Sequence, residues 1–398
     1  MKKTLVALAA LAATSVFAQS TVTIFGTLDV GYKSVNNSAN NAANSQNIIQ
    51  NNSATSLIIF KGVEDMGGGM AATFLMEIDF NPVNSSSANA APGATGANYW
   101  NATPFNGEQY VGISGGFGNL QLGTPNADGL IAGIIATPFG TAMGSGFNGT
   151  FGRLGTSGVS SLNQFTGAAG TTGRIIRHAN TIQYTTPNFG GFTATGAYAF
   201  GNDNATVANP ATGTLAGNTN TYTTLSLKYN NGPANVMYVY TNEKAASNGA
   251  AGIYGVLPAG VVGVTTIGGL ATSATVALPV NTDVTFNQLS GNYTFGPATI
   301  YAGLSSTKHN AAVPLEDSTS WNLAGQYLIT PSIKLQANYL ARNSNVAANA
   351  RLVGLGAEYA FSKRTNAYFR YEGINFDAIA AVGSFTLNSW AVGLKHTF

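Results

Sequence analysis

Val22-Thr23-Ile24-Phe25-Gly26-Thr27-Leu28-Asp29-Val30-Gly31-Tyr32-Lys33 alternates with a period of two. Val22, Ile24, Gly26, Leu28, Val30 and Tyr32 make one apolar face, and Thr23, Phe25, Thr27, Asp29, Gly31 and Lys33 make a mostly polar one. This length suits a tilted strand crossing a bilayer with one face to lipid and the other to water, for which about ten residues suffice. The pattern returns in Met70, Ala72, Phe74, Met76, Ile78 and Phe80 against Thr73, Glu77 and Asp79. Ile333 to Tyr339 repeats it, and the last run sets Trp390, Val392, Leu394 and Phe398 against Ser389, Ala391, Lys395 and Thr397.

The connections alternate as well. Short ones carry turn residues, as in Glu64-Asp65-Met66-Gly67-Gly68-Gly69, Pro187-Asn188-Phe189-Gly190 and Asn230-Asn231-Gly232-Pro233. Long polar stretches lie between them: 34–54, 81–107, 125–173, 202–220 and 242–283. The Asn-rich segment 36–55 reads as a solvated external loop. Candidate strands begin near 21, 55, 70, 108, 118, 174, 191, 221, 234, 284, 298, 319, 332, 351, 365 and 386, sixteen in all. The reading is an all-β fold: a 16-stranded antiparallel transmembrane β-barrel with tight periplasmic turns and long extracellular loops. An even count brings both termini to one side, where first and last strands can pair and remove the edge. Sixteen strands leave an aqueous lumen, whereas eight fill with their own side chains.

Composition agrees. The chain is 44% apolar and 10% aromatic with 49 Gly, yet only 8% charged, too little surface charge for a soluble globule of this size. Residues 245–282 are uncharged, but their glycines and Pro258 and Pro279 argue against a spanning helix. Lys2 and Lys3, the apolar run Leu5 to Val16, and Val16-Phe17-Ala18 read as a signal peptide, 1–18, cleaved before Gln19. The mature domain, 19–398, would hold 398 − 18 = 380 residues with 15 Lys+Arg against 15 Asp+Glu, which speaks against a nucleic-acid partner. The absence of cysteine means that closure must come from something other than disulfides.

Several motifs, in order along the chain, resemble the general-porin family of Gram-negative bacteria, in its β-proteobacterial branch. They are Val22-Thr23-Ile24-Phe25-Gly26, Phe60-Lys61-Gly62-Val63-Glu64-Asp65-Met66-Gly67, Tyr110-Val111-Gly112-Ile113-Ser114-Gly115-Gly116-Phe117-Gly118, Asn180-Thr181-Ile182-Gln183-Tyr184, Tyr359-Ala360-Phe361-Ser362 and Gly393-Leu394-Lys395-His396-Thr397-Phe398. The resemblance implies a homotrimer in the outer-membrane lipid, a third external loop folded inward, and a terminal Phe398 read by the barrel-assembly machinery. It implies passive diffusion of small hydrophilic solutes and ions. Arg177 matches a family arginine facing the constriction, on the wall opposite the loop. Where the family often has arginines, this chain has Leu57 and Thr124, so strong anion selectivity does not carry over. The segment 125–173 is independently long enough to serve as the inward loop.

The three histidines, His178, His309 and His396, show neither triad nor metal-ligand spacing, and no cofactor or enzymatic activity is expected. His178 is placed at the extracellular end of a strand and His309 in an external loop. Gly67-Gly68-Gly69 joins two strands and is a turn, not a phosphate loop. Pores select by lumenal charge and diameter, so the candidate pore-lining residues are Arg177, Lys61, Glu77, Asp79, Lys334 and Arg370, with Asp128 and Arg153 in the third loop. Alternation also turns Asp29, Lys33, Lys228, Arg342, Glu358, Glu372 and Lys395 inward, giving eight positive against five negative strand charges, about +3. A weak anion preference follows. The alternative is a substrate-specific channel for sugars or organic acids, against which only Phe25, Tyr301 and Tyr368 offer inward aromatics. A barrel enzyme and an adhesive surface protein are weaker rivals. Outward Gly26, Ala72, Gly112 and Gly291 would let neighbouring barrels approach closely.

Overall fold

The structure is a computed structural model and describes residues 21–38, 44–83, 107–146, 177–201, 221–244, 264–267, 270–274, 283–310, 317–344, 349–377 and 384–398. The signal-peptide segment 1–18 and Arg153 lie outside these residues. In chain order the elements are β1 (Thr21–Asn37), β2 (Ser45–Gln50), β3 (Leu57–Gly67), β4 (Met70–Asp79), β5 (Gln109–Gly115), β6 (Gly118–Thr124) and a helix, α1 (Asp128–Ile135). There follow β7 (Thr181–Thr185), β8 (Phe192–Ala199), β9 (Thr221–Asn231), β10 (Ala234–Lys244), β11 (Val264–Ile267) and β12 (Leu270–Ala274). The chain closes with β13 (Asp283–Phe295), β14 (Ala298–Asn310), β15 (Ser318–Thr330), β16 (Ile333–Ser344), β17 (Ala350–Ala360), β18 (Thr365–Phe376) and β19 (Phe385–Thr397).

Each barrel strand pairs antiparallel with its neighbours, and β1 closes the sheet on β19 from Thr27↔Thr397 to Asn37↔Leu387. Backbone groups facing lipid have no water to bond, so strands can span a membrane only in a closed sheet. The seam extends to the chain end, where Gly26 and Phe398 exchange both backbone hydrogen bonds at 3.1 Å. The sheet holds 17 strands in 16 positions, because β2 and β3 share one: β3 pairs with β1 over Thr21–Thr27 and β2 over Val30–Val35. The expected sixteen-stranded barrel is therefore present. β10 pairs directly with β13, so β11 and β12 form a separate hairpin in the long 245–282 connection.

Alternation sorts the side chains as the sequence requires. Val111, Leu225, Leu304, Leu323 and Leu394 stand exposed on the outer, lipid-facing side. Aromatics gather outside near the short turns, among them Phe117, Phe189, Tyr293, Tyr359, Phe361 and Phe398. A second group, Tyr32 with Trp390 and Trp321 with Tyr339, each pair 5.4 Å between ring centroids, marks the other rim. Such girdles sit where headgroups meet hydrocarbon. Gly67, Gly68 and Gly69 all have positive φ (78°, 62° and 76°), so the β3–β4 turn demands the residue type it has.

Four expectations change. The segment 36–55 is no simple external loop: it contains β2 and then a run of the chain that leaves the sheet. β7 begins at Thr181 and not near 174; Arg177 makes only an isolated bridge to Asn126, and Asn180 breaks the extended path with φ 56°. His309 belongs to β14, pairing with Val284. Gly112 is buried between outward Val111 and Ile113, so it faces the lumen and leaves the outward small-residue set.

Candidate functional site: a constriction inside the barrel

After β6 the chain turns into the lumen through Pro125 and Asn126 and winds into α1, part of the third external loop. Successive strands then hold this loop by side-chain bonds. Ser226 donates its hydroxyl to Asp128, the first residue of α1. Amide nitrogens of Asn292, Asn322, Gln336 and Asn338 donate to the carbonyls of Ile135 (3.0 Å), Ala136 (2.7 Å), Pro138 (2.6 Å) and Gly144 (2.9 Å). Gly144 N donates to Glu372 at 2.9 Å. A Cβ on Gly354 would run into the Gly144 backbone, so the wall is glycine where the loop presses closest. Each such bond replaces one to water, for a net gain of about 0.5–1.5 kcal/mol; six together fix one geometry. Four of these six bonds come from neutral amides along β13 to β16.

Two charged clusters occupy the remaining lumen. At the root of the loop, Arg177 donates to Asn126 Oδ1 (2.7 Å) and Glu77 (3.0 Å) and stands 4.0 Å from Asp79. Glu108 accepts from Asn126 N (3.0 Å) and Nδ2 (2.9 Å). Lys61, lumenal by its register with Thr23 and Leu75, interacts with Glu108 at longer range. Nearer the periplasmic turns, Glu358 accepts from Lys334 (2.8 Å) and Arg370, with Lys395 in electrostatic reach. The Arg370 guanidinium lies 5.5 Å from the ring centroids of both Phe139, in the loop, and Tyr368.

The structure brings the predicted residues together unevenly. Arg177, Glu77 and Asp79 form one cluster and Lys334 and Arg370 belong to the other, while Asp128 stands apart on α1. Burial pushes the Asp128 carboxyl up from its ordinary value, against hydrogen bonds from Ser226 and Thr195 and the charge of Lys228. Arg177 does not sit opposite the loop; it is bound to the loop's own root. The alternation count also changes, because Glu108, Asp128 and Glu243 join the five carboxylates already counted, giving eight against eight. These charges divide by solvent contact. Lys61, Arg177, Lys228, Lys334 and Lys395 reach water against Asp79, Glu108 and Glu358, a surplus of 5 − 3 = +2. The buried set is Asp29, Glu77, Asp128, Glu243 and Glu372 against Lys33, Arg342 and Arg370, or 3 − 5 = −2.

The amide ladder escaped the sequence reading. Its members are inward by alternation, but nothing local reveals that a distant loop supplies their acceptors. Of the histidines, buried His178 stacks on Tyr222 at 3.7 Å between centroids, and Tyr222 donates to Glu243 (3.0 Å). His396 bonds Thr365 at 2.9 Å. No group of three His, Cys, Asp or Glu arranged for a metal occurs among the described residues.

A wide closed barrel with a water-facing, internally constricted lumen defines a transmembrane pore. A family model described as Gram-negative porin matches residues 4–378, and the chain belongs to that family. Outer membrane porin protein 32 of Delftia acidovorans is 28% identical over 379 residues, 92% of this chain and 88% of the relative. An outer membrane porin protein of Bordetella pertussis is 31% identical over 273 residues, 63% of this chain and 62% of its own. Among solved structures, an anion-selective porin from Comamonas acidovorans has a TM-score of 0.69 at 22% identity, covering 96% of this chain and 100% of that one. OmpT of Vibrio cholerae in its trimer form has a TM-score of 0.62 at 15% identity, covering 95% and 99%. These two likenesses establish the fold. The protein is a passive pore of the outer membrane, crossing it many times.

Proposed function

We propose that the pore is non-specific, admits small hydrophilic solutes by size, and prefers small anions weakly. The observation carrying this reading is the division of lumenal charge: +2 in contact with water and −2 buried, with no net total among the described residues. A passing ion meets the water-facing charges directly, and screening over about 8 Å at physiological ionic strength makes so small a surplus a bias and not a gate. Lys61, Arg177 and Lys334, with Asp79, are the water-facing residues assigned to that bias; Arg370, Glu77 and Asp128 line the same lumen but are buried and act on it at longer range, and Arg153 is retained as a candidate. Planar-bilayer recording in a salt gradient tests it. The expected zero-current potential has the sign of a slight anion preference that shrinks as salt rises; a cation preference would overturn the assignment.

A homotrimer is proposed as well, by likeness to the trimeric OmpT structure, with outward Gly26, Ala72 and Gly291 compatible with close contact. Unheated gel migration at monomer mass would count against it. Residues 1–18 are proposed as a cleaved signal peptide, and Phe398 as the signal to the barrel-assembly machinery. No enzymatic step or cofactor is assigned. Against the substrate-specific alternative, the Tyr368 hydroxyl is already engaged by Asp29 at 2.5 Å. Liposome-swelling rates that follow sugar size alone support the non-specific reading.

A further inference from the structure

Where β1 spends only Leu28 and Asp29 between its pairing with β3 and with β2, the facing chain spends six residues, 51–56. The excess turns into the lumen. Asn52 and Ser56 are buried, and the Asn52 carbonyl accepts from Met143 N, in the third loop, at 3.3 Å. Ser53 Oγ accepts from Arg370 at 3.0 Å. The turn closes on itself through Asn51, at φ 61°, whose Oδ1 accepts from Ser56 N at 2.8 Å; asparagine tolerates that left-handed conformation. Asp29 anchors it. One carboxylate oxygen accepts from Ser53 N (2.6 Å) and Ala54 N (2.9 Å), the other from Tyr368 Oη (2.5 Å), and the residue has no exposed surface. A carboxylate so enclosed is costly to bury unless its bonds are fully used, and here they hold a segment that the sheet itself does not need.

We propose that residues 51–56 form a second jaw of the constriction, with Asp29 as its positioning residue. The aperture is then set where this turn meets the third loop at Met143, and not by the loop alone. The inference rests on the chain being a pore and is independent of its charge preference. It makes Asp29 a determinant of pore size even though its carboxylate is out of contact with the permeating stream.

The test uses the full-length protein folded in detergent and reconstituted. Deleting residues 52–55 leaves two residues facing two and removes the jaw. Single-channel conductance should rise about 1.5-fold or more, and the exclusion limit for neutral sugars in swelling assays should move to larger sugars. Asp29→Asn should give a smaller rise in both, with noisier open current. A folded barrel with wild-type conductance and wild-type exclusion limit in both variants overturns the proposal. Should the deletion fail to fold, an Asn52→Cys/Met143→Cys pair decides, since the chain has no other cysteine. Diamide should join the pair in the folded barrel, two thiols giving one disulfide as diamide is reduced, and leave conductance at its wild-type level. Failure to cross-link in a folded barrel, or a cross-link that collapses the conductance, means that the turn and the loop do not meet in the open pore.

Discussion

Around Arg177 stand three carboxylates, Glu77, Asp79 and Glu108; around Glu358 stand three cations, Lys334, Arg370 and Lys395. The two clusters are near mirror images in charge, and each divides its surplus between bonded and solvated groups. In the acidic cluster Glu108 accepts two bonds from Asn126 and so fixes the point where the third loop leaves the wall, while the Asp79 side chain stays 28% exposed. In the basic cluster the Lys334 side chain is 27% exposed, while that of Arg370, at 2%, is bound between Glu358 and Ser53. Formal lumenal charge is therefore a poor guide to what an ion meets; the division between bonded and solvated charge decides.

Reversing the single cation of the acidic cluster breaks the comparison hardest. Arg177→Glu changes the local charge by two, and a unit charge about 8 Å away is worth ~0.5 kcal/mol in water and ~2 kcal/mol at an effective dielectric of 20. The anion-to-cation permeability ratio should fall about fivefold or more at low salt, with the zero-current potential moving toward cations. An unmoved potential would show that this cluster serves architecture alone. Glu358→Gln removes one charge from the opposite cluster. It should raise the anion preference about twofold, the reverse sense and a smaller step, read in the same salt gradient. Arg351→Ala supplies the lower bound. Its pair with Asp377 (3.1 Å) is exposed on both sides and faces outward, so stability should change by at most about 1 kcal/mol and the potential not at all. A shift in potential there would mean that the assignment of inner and outer faces is wrong.

Most of the barrel is legible in the sequence because period-two alternation and glycine-rich turns are local signals. Gly67 to Gly69 and Gly296-Pro297 mark their turns without reference to anything distant, and β4, β6, β9, β10, β14 and β18 begin where the reading puts them. β7 escapes because Arg177 continues the alternation while its backbone is taken by Asn126 from another part of the chain. The run 36–55 escapes for a related reason. Asparagine is common in solvated loops, but its side chain serves equally well to satisfy a turn folded into the lumen, as Asn51 does. Glu243 falls within the long polar stretch 242–283, and only its register with Tyr222 places it on the inner face. Pairings of this kind join residues far apart in the chain, and composition carries no trace of them.

The ladder formed by Asn292, Asn322, Gln336 and Asn338 carries no charge and donates to backbone carbonyls. Dissolved ions do not weaken such bonds as they weaken ion pairs, and neither partner titrates in the ordinary range. A bacterium carried from rainwater into brine would lose its preference between ions of opposite sign, since that bias is screened. The mesh of its sieve would stay the same, so an osmotic shock would change which ions cross most readily without changing how large a molecule can pass.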